Sequence, residues 1–265
     1  MSAIEVSGPD DKGIIEISLN VPERRNAISD EMRERLIEIC ESIDRSSHTR
    51  VAILTGTGVS FCAGGDLKAM SDRTPEGSDY SSAYANYLFG GGKAAEHLSN
   101  LTRPLIVAVN GAAIGAGLSI AMLGDIRIAS DNATFAAPFA RRGLVPDWGL
   151  VHSLPRIVGQ GPATDLFLTG RVVHADEALH MGIITEITRS DSLMDRAYER
   201  ALEIAAMAPL AVQATKRLMR VSRGSSFCDT LGIEAVEQAR LQQTSDYREG
   251  IAAFHDRRQP NFRGF

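Results

Sequence analysis

The chain has little of what marks several classes of protein. Its three cysteines, Cys40, Cys62 and Cys228, form no CxxC pair and no cluster with histidine, so we expect reduced thiols and no metal site. The net charge of -5 argues against a general nucleic-acid binder. No basic stretch followed by an apolar run opens the sequence, which predicts a cytoplasmic protein without a secretory signal.

Charge is also absent from residues 104–124, a segment long enough to span a bilayer. Asn110-Gly111 interrupts this segment, and Gly115 and Gly117 are poor residues for a membrane helix. We therefore interpret the segment as a buried strand over residues 105–109, a glycine turn and a buried helix over about residues 116–123. It is not predicted to cross a membrane.

Strands alternate with helices along most of the chain, which indicates an α/β architecture with mostly parallel strands. Ser29 is a predicted helix N-cap. Apolar residues at spacings of three and four follow it on one helix face: Met32, Leu36, Ile39 and Ile43. Strands are predicted over residues 13–19, 51–55, 105–109 and 125–129.

After about residue 192 the pattern becomes helical, over residues 193–207, 210–221 and 226–243. The break at Ala208-Pro209 predicts a boundary between a core, residues 1–207, and a helical C-terminal region, residues 208–265. A stretch rich in Ser, Asp, Gly and Pro predicts a mobile surface loop over residues 71–82.

Two glycine-rich turns each connect a predicted strand to a predicted helix. They are Ser60-Phe-Cys-Ala-Gly-Gly-Asp-Leu-Lys-Ala-Met70 and Val109-Asn-Gly-Ala-Ala-Ile-Gly-Ala-Gly-Leu-Ser119. Turns of this kind expose backbone N–H groups at a helix N-terminus and favour negative charge. The second does not match GxGxxG, so it does not indicate a dinucleotide-binding fold. Each turn alone would also suit an ordinary strand-to-helix connection.

Together the two turns resemble those of the crotonase (enoyl-CoA hydratase/isomerase) superfamily, and the resemblance extends from about Ile4 to Phe262. It implies a crotonase-type spiral of ββα units with a helical C-terminal region, assembled as a homotrimer or a dimer of trimers. It also implies an acyl-CoA thioester substrate, with no cofactor besides the coenzyme A that the substrate carries.

In the family, two backbone N–H groups form an oxyanion hole around the thioester oxygen, and the matching residues here are Gly65 and Ala116. Such donors contribute roughly 3–4 kcal/mol each to transition-state stabilisation. The family usually has glycine at the second position, so Ala116 is a mild departure.

The resemblance also implies residues that bind CoA. Asn20-Val-Pro-Glu-Arg-Arg-Asn-Ala27 resembles an early loop that contacts CoA, with Arg24 and Arg25 for the phosphates and the backbone near Ala27 for the nucleotide. Further positions are predicted to line the ligand: Ala63, Gly64, Asp66, Leu67, Lys68, Gly115, Ser119, Phe139, Trp148 and Phe262. In relatives the C-terminal end packs over the CoA mouth, so residues 208–265 are expected to cover the CoA site and supply trimer contacts. Each basic residue has the alternative of being a solvated surface charge.

The sequence departs from a typical hydratase of this family, which holds a water between two glutamates. Ser119 and Phe139 occupy those positions. Gly143-Leu-Val-Pro-Asp-Trp-Gly149 resembles a segment of the ring-epoxide (1,2-epoxyphenylacetyl-CoA) isomerases, in which the aspartate is the proton-transfer group. We carry that role to Asp147, whose apolar neighbours are expected to raise its pKa. The alternative for Asp147 is a helix N-cap.

A single carboxylate can move a proton from one carbon to another across an enolate. The sequence therefore predicts an isomerase of an unsaturated or epoxidised acyl-CoA. A hydratase with a variant mechanism and a non-catalytic acyl-CoA-binding protein are the alternatives. An aryl-CoA dehalogenase would also have an aspartate at Asp147, but it requires a histidine near residues 90–92, which are glycines.

Overall fold

The computed structural model describes residues 2–66 and 79–265, and these form two β-sheets flanked by helices. The strands are β1 (Ile4–Ser7), β2 (Ile14–Leu19), β3 (Val51–Gly56), β4 (Ser60–Cys62), β5 (Leu105–Val109), β6 (Ala112–Ile114), β7 (Ile126–Ser130), β8 (Thr134–Ala136), β9 (Val172–His174) and β10 (Glu186–Thr188). The larger sheet has the order β1-β2-β3-β5-β7-β10 and is parallel apart from the β1–β2 pair. The smaller sheet has the order β4-β6-β8-β9, with β8 and β9 antiparallel. The predicted α/β class with mostly parallel strands is confirmed.

The α-helices are α1 (Asp30–Arg45), α2 (Tyr80–Asn86), α3 (Lys93–Asn100), α4 (Ala116–Ala121), α5 (Leu150–Val158), α6 (Gln160–Thr169), α7 (Ala175–Met181), α8 (Leu193–Ala205), α9 (Pro209–Val221), α10 (Phe227–Leu241) and α11 (Ser245–Asp256). A π-helical segment, Tyr87–Gly92, joins α2 to α3. Short 3-10 turns occur at Pro22–Arg24, Ala140–Arg142, Ser190–Ser192 and Ser222–Gly224. Within the described ranges, no helix is both long and apolar enough to cross a membrane.

Both faces of the larger sheet are covered. Its central strands β3 and β5 are buried along their whole length, which explains why they are continuous apolar runs. On one side α1 buries the face predicted from its periodicity, and Ser29 caps it by accepting from the Met32 N–H at 3.2 Å. On the other side α8 packs its alanines, Ala197, Ala201 and Ala205, against the sheet.

Successive strand pairs alternate between the two sheets. β3, β5 and β7 enter the larger sheet, and β4, β6 and β8, which follow them directly, enter the smaller one. Because β4, β6 and β8 are parallel neighbours, the residues after them meet at one edge. These residues are 63–66, 115–116 and 137–139, so the topology brings the two glycine turns together.

The C-terminal helices differ from this core. Along α9, α10 and α11 few side chains are buried, and several large apolar ones are exposed, including Met219, Phe227, Val236 and Phe254. The predicted boundary at Ala208-Pro209 coincides with the start of α9, whose first residue is Pro209.

The surface loop predicted over residues 71–82 falls mainly outside the described residues. Where it can be compared, the prediction was wrong from Tyr80 onward. Asp79 caps α2 by accepting from the Ser82 N–H at 3.3 Å, so a helix begins inside the predicted loop.

Candidate active site

The first glycine turn leaves one backbone donor unpaired. Ile28 N–H donates to Gly64 O at 2.8 Å, and Asp66 N–H donates to Ile28 O at 3.2 Å. In this parallel pairing the intervening Gly65 N–H is directed away from Ile28. It has no acceptor among the residues that the structure describes.

The second turn leaves a matching donor. Gly115 N–H donates to Ala136 O at 2.9 Å, and Ala116 then begins α4. As the first helical residue, Ala116 has an N–H group without an intrahelical partner, and the described part of the chain offers it no other acceptor. Both residues predicted as oxyanion donors therefore have an available N–H.

Close backbone contact joins the two turns. Gly64 has a φ of 101°, and a Cβ there would lie 2.9 Å from Ile114 O and 3.7 Å from Ala116 N. A Cβ on Gly117 would lie 2.2 Å from Cys62 O, closer than any side chain allows. Glycine at these positions lets the backbones approach, and the approach fixes the two donors relative to each other.

Asp147 lies against the helix that the second turn begins. Its Oδ1 is 3.3 Å from the Oγ of buried Ser119, which also lies 3.2 Å from Gly115 O. Burial raises the pKa of Asp147 to about 6, opposed by the Ser119 hydrogen bond, its own backbone N–H and the charge of Arg33. A carboxyl group with such a pKa can both take and return a proton near neutral pH.

The helix N-cap alternative for Asp147 is wrong. The following helix, α5, begins at Leu150, and Gly149 occupies the N-cap position with a φ of 75° and no side-chain cap. Trp148 is also left-handed, with a φ of 50°. The two left-handed residues separate Asp147 from the helix, and its carboxyl group instead meets Ser119.

Aromatic side chains enclose this region. Trp148 is buried, and a Cβ on Gly91 would lie 2.9 Å from its Nε1. Phe139 is also buried, with its ring next to Gly115. Tyr87 Oη accepts from Trp148 N–H at 3.2 Å. Tyr87 was not predicted as a site residue, and no local sequence pattern marks it.

The predicted CoA loop packs against the first turn. Arg25 O accepts from Ala63 N–H at 2.9 Å, and Ala27 N–H donates to Arg24 O at 3.1 Å. Arg24 Nη1 lies 2.9 Å from Asp66 Oδ2 in a half-exposed ion pair. The two predicted CoA segments are therefore neighbours.

Two further predicted residues, Leu67 and Lys68, lie outside the described residues. Phe262 makes its contacts away from the glycine turns, because its carbonyl accepts from Arg50 Nη2 at 2.7 Å and its ring faces Gly250. Phe262 also lines a cavity that Trp148 borders, and its predicted role near CoA stays a prediction.

A cavity of about 1350 Å³ adjoins the site at Trp148 and Gly149. Its walls come from α3, α5, α8 and α9 and the residues following α4. Among the described residues, Asp147 and the two donor residues do not line it. Trp148 thus contributes both to the surroundings of Asp147 and to the wall of the cavity.

Comparison with known proteins gives a consistent result. Residues 10–264 match the family model described as enoyl-CoA hydratase/isomerase. The chain is 34% identical to the 1,2-epoxyphenylacetyl-CoA isomerase of Escherichia coli, covering 96% of each chain. It is 35% identical to the (E)-benzylidenesuccinyl-CoA hydratase of Thauera aromatica, covering 94% of each.

A crystal structure of an enoyl-CoA hydratase from Bacillus anthracis superposes with a TM-score of 0.93 at 30% identity, covering 99% of this chain and 100% of that one. This likeness confirms the predicted crotonase-type fold. The chain belongs to the enoyl-CoA hydratase/isomerase family.

Proposed function

We propose that the protein isomerises an unsaturated or epoxidised acyl-CoA, with Asp147 carrying one proton across a thioester enolate. The observation that supports this most directly is the single carboxyl group held by Ser119 against the first turn of α4. Its pKa of about 6 suits a group that works first as base and then as acid.

In the proposed mechanism the thioester oxygen lies between the N–H groups of Gly65 and Ala116. Ionised Asp147 removes a proton from the α-carbon of a 3-enoyl thioester, and the electron pair moves onto the thioester oxygen. The two donors stabilise the resulting charge. Protonated Asp147 then returns the proton to the γ-carbon, and the double bond ends between the α- and β-carbons.

Ser119 suits both stages. A hydroxyl group has one proton to donate, and the Oγ lies within reach of both Asp147 Oδ1 and Gly115 O. It donates to Asp147 while the carboxylate is charged, and to Gly115 O once the carboxyl group is protonated.

Hydration is the second candidate, because several similar proteins are named as hydratases. Adding water requires a group that activates the water and a group that protonates the neighbouring carbon. Ser119 and Phe139, which occupy the positions of the two glutamates of family hydratases, cannot transfer protons as carboxylates do. A purely binding role is less favoured, because a desolvated carboxylate destabilises the fold and a binder gains nothing from it.

The test is mass spectrometry of 2-enoyl, 3-enoyl and ring-epoxide CoA thioesters incubated with the protein in deuterated water. We expect deuterium uptake with a shifted double bond or an opened epoxide. Asp147→Asn should reduce the rate about 1,000-fold and leave CoA-thioester affinity within about threefold. Asp165→Asn, on exposed α6, is the control of equal charge change.

Two results would contradict the proposal. A product heavier by one water would assign hydration. Tight thioester binding without turnover of any substrate in the panel would favour the non-catalytic alternative.

A further inference from the structure

We propose that the Tyr87 hydroxyl donates a hydrogen bond to an oxygen atom carried by the acyl group, so that the protein prefers acyl-CoAs oxygenated close to the thioester over plain ones. This inference rests on the proposed function, because it assumes that the acyl group lies beside Asp147. It assigns Tyr87 to substrate recognition.

The hydroxyl proton of Tyr87 is available to a ligand. Trp148 N–H donates to Tyr87 Oη at 3.2 Å, which uses a lone pair of the oxygen and leaves its proton unused. Among residues 2–66 and 79–265, no hydrogen bond donated by the Tyr87 hydroxyl is formed. A phenol in this arrangement has one donor to offer a ligand.

The Tyr87 hydroxyl lies close to Asp147 along the backbone. Trp148 N belongs to the peptide that follows Asp147, so the phenol lies beside the backbone of the proton-transfer residue. Burial and the charge of Asp147 raise the pKa of Tyr87. The phenol therefore keeps its proton at neutral pH and acts as a donor.

The Tyr87 side chain belongs to a segment with an unusual backbone conformation. Tyr87 begins the π-helical segment that ends at Gly92, and such segments are frequent at functional sites. Gly91 of the same segment lies against the Trp148 indole. The segment thus contacts the residue after Asp147 twice, once through a hydroxyl and once through a glycine that makes room for the indole.

Asp147 and Tyr87 have separate roles in this proposal. Asp147 moves the proton, and Tyr87 keeps its own while its hydrogen bond stabilises charge on a substrate oxygen. A plain enoyl group has no atom to accept this hydrogen bond. An epoxide, hydroxyl or carbonyl oxygen near the reacting carbons does.

A purely structural role is the competing explanation, since Tyr87 also satisfies the N–H of left-handed Trp148. The test therefore compares two ligands in one variant. Binding of acetoacetyl-CoA and of butyryl-CoA, which differ by one oxygen, is measured by calorimetry for wild type and Tyr87→Phe. Tyr84→Phe is the matched control, because Tyr84 is exposed and stacks on Tyr80.

We expect wild type to prefer acetoacetyl-CoA, and Tyr87→Phe to lose about tenfold in affinity for it while butyryl-CoA changes less than about twofold. Tyr84→Phe should change neither. Equal weakening of both ligands, no weakening of either, or no wild-type preference would overturn the inference.

Because binding requires no turnover, this measurement can be made whether or not the protein catalyses the isomerisation. A wild-type protein that shows the oxygen preference but no proton exchange would refute the proposed function and leave the role of Tyr87 intact. Proton exchange that depends on Asp147, in a protein without a preference for the oxygenated ligand, would refute the role of Tyr87 and leave the proposed function intact.

Discussion

The glycine turns and the segment around Asp147 form one site but are held in different ways. The turns present backbone N–H groups, and their positions are fixed by backbone contacts such as Gly117 against Cys62. Asp147 is held by side chains, through Ser119 and the packing around Trp148. A backbone donor is largely indifferent to its own side chain, so alanine at position 116 is compatible with the proposed donor role, although the family resemblance leads us to expect glycine there. In the proposed mechanism the reaction is decided by the side-chain half of the site, Ser119, Phe139, Asp147 and Trp148. The family resemblance matches two of these residues, Ser119 and Phe139, to the glutamates of a hydratase.

Apart from the loss of activity expected of Asp147→Asn, the largest effect is expected in the backbone half of the site, the turns around Gly64–Gly65 and Gly115–Gly117. Gly117→Ala places a methyl group against Cys62 O and must separate the two turns. We expect a loss of more than about 100-fold in kcat and a free energy of unfolding lower by about 3 kcal/mol. Steady-state kinetics under native conditions and urea denaturation measure the two effects.

Gly232→Ala on α10 is the matched control, because a Cβ there meets no atom within 4 Å. It should raise the free energy of unfolding by up to about 1 kcal/mol and leave kcat unchanged. Wild-type activity in Gly117→Ala would show that the donors are not fixed by contact between the turns.

The second prediction concerns the stability of the side-chain half. The folded pKa of Asp147, about 6, lies above the ordinary value of 3.8. Between these values the folded chain keeps a proton that the unfolded chain has released, so the free energy of unfolding falls as pH rises through this window. Above about pH 6 the full penalty, up to about 3 kcal/mol, is present.

Asp147→Asn avoids this penalty because it carries no charge. The variant should unfold at higher denaturant concentration than wild type at about pH 8, with the difference disappearing near pH 4. Asp11→Asn, at an exposed ion pair, should stay within about 0.5 kcal/mol of wild type. A less stable Asp147→Asn at about pH 8 would mean that favourable contacts outweigh the burial of the carboxylate.

A smaller effect is expected from Ser119→Ala. Because the Ser119 hydrogen bond lowers the pKa of Asp147, its loss should raise that pKa further. The acid limb of the kcat/KM profile should then move to higher pH, with activity about tenfold lower near pH 6 and close to wild type at about pH 9.

Ser153→Ala provides the comparison for that profile. Its Oγ lies 3.3 Å from Gly149 O, a carbonyl four residues earlier, as Ser119 does with Gly115. Its acid limb should coincide with that of wild type. An unmoved limb in Ser119→Ala would show that Ser119 does not influence the ionisation of Asp147.

Long elements of the fold could be predicted from the sequence, and the short strands that position the site could not. Long apolar or periodic segments such as β3 and α1 were recognised, because six or more residues are enough to show a period. The three-residue strands β4, β6 and β8 were not predicted, since so few residues show none. These strands nevertheless bring the glycine turns together, which the sequence suggested only through the family resemblance.

Around Asp147, the backbone conformation could not be predicted from the sequence. An aspartate shortly before a helix favours an N-cap, and a left-handed tryptophan between them cannot be anticipated from its residue type. The contact of Tyr87 with Trp148 joins residues 61 positions apart and has no local pattern. Side-chain contacts of this kind depend on the finished fold.

The smallest effect is expected from Arg24, which we propose as a CoA contact and which lies beside the first glycine turn. Arg24 is 53% exposed and pairs with Asp66. An exposed charge in water contributes up to about 1 kcal/mol, so Arg24→Gln should raise KM for acyl-CoA up to about fivefold with kcat unchanged. The difference should shrink at about 1 M salt. Arg35→Gln, at a solvent-exposed pair on α1, should leave KM unaltered. A lower kcat at constant KM would instead mean that Arg24 acts through Asp66 on the position of the Gly65 donor, and the backbone half would then depend on a side chain after all.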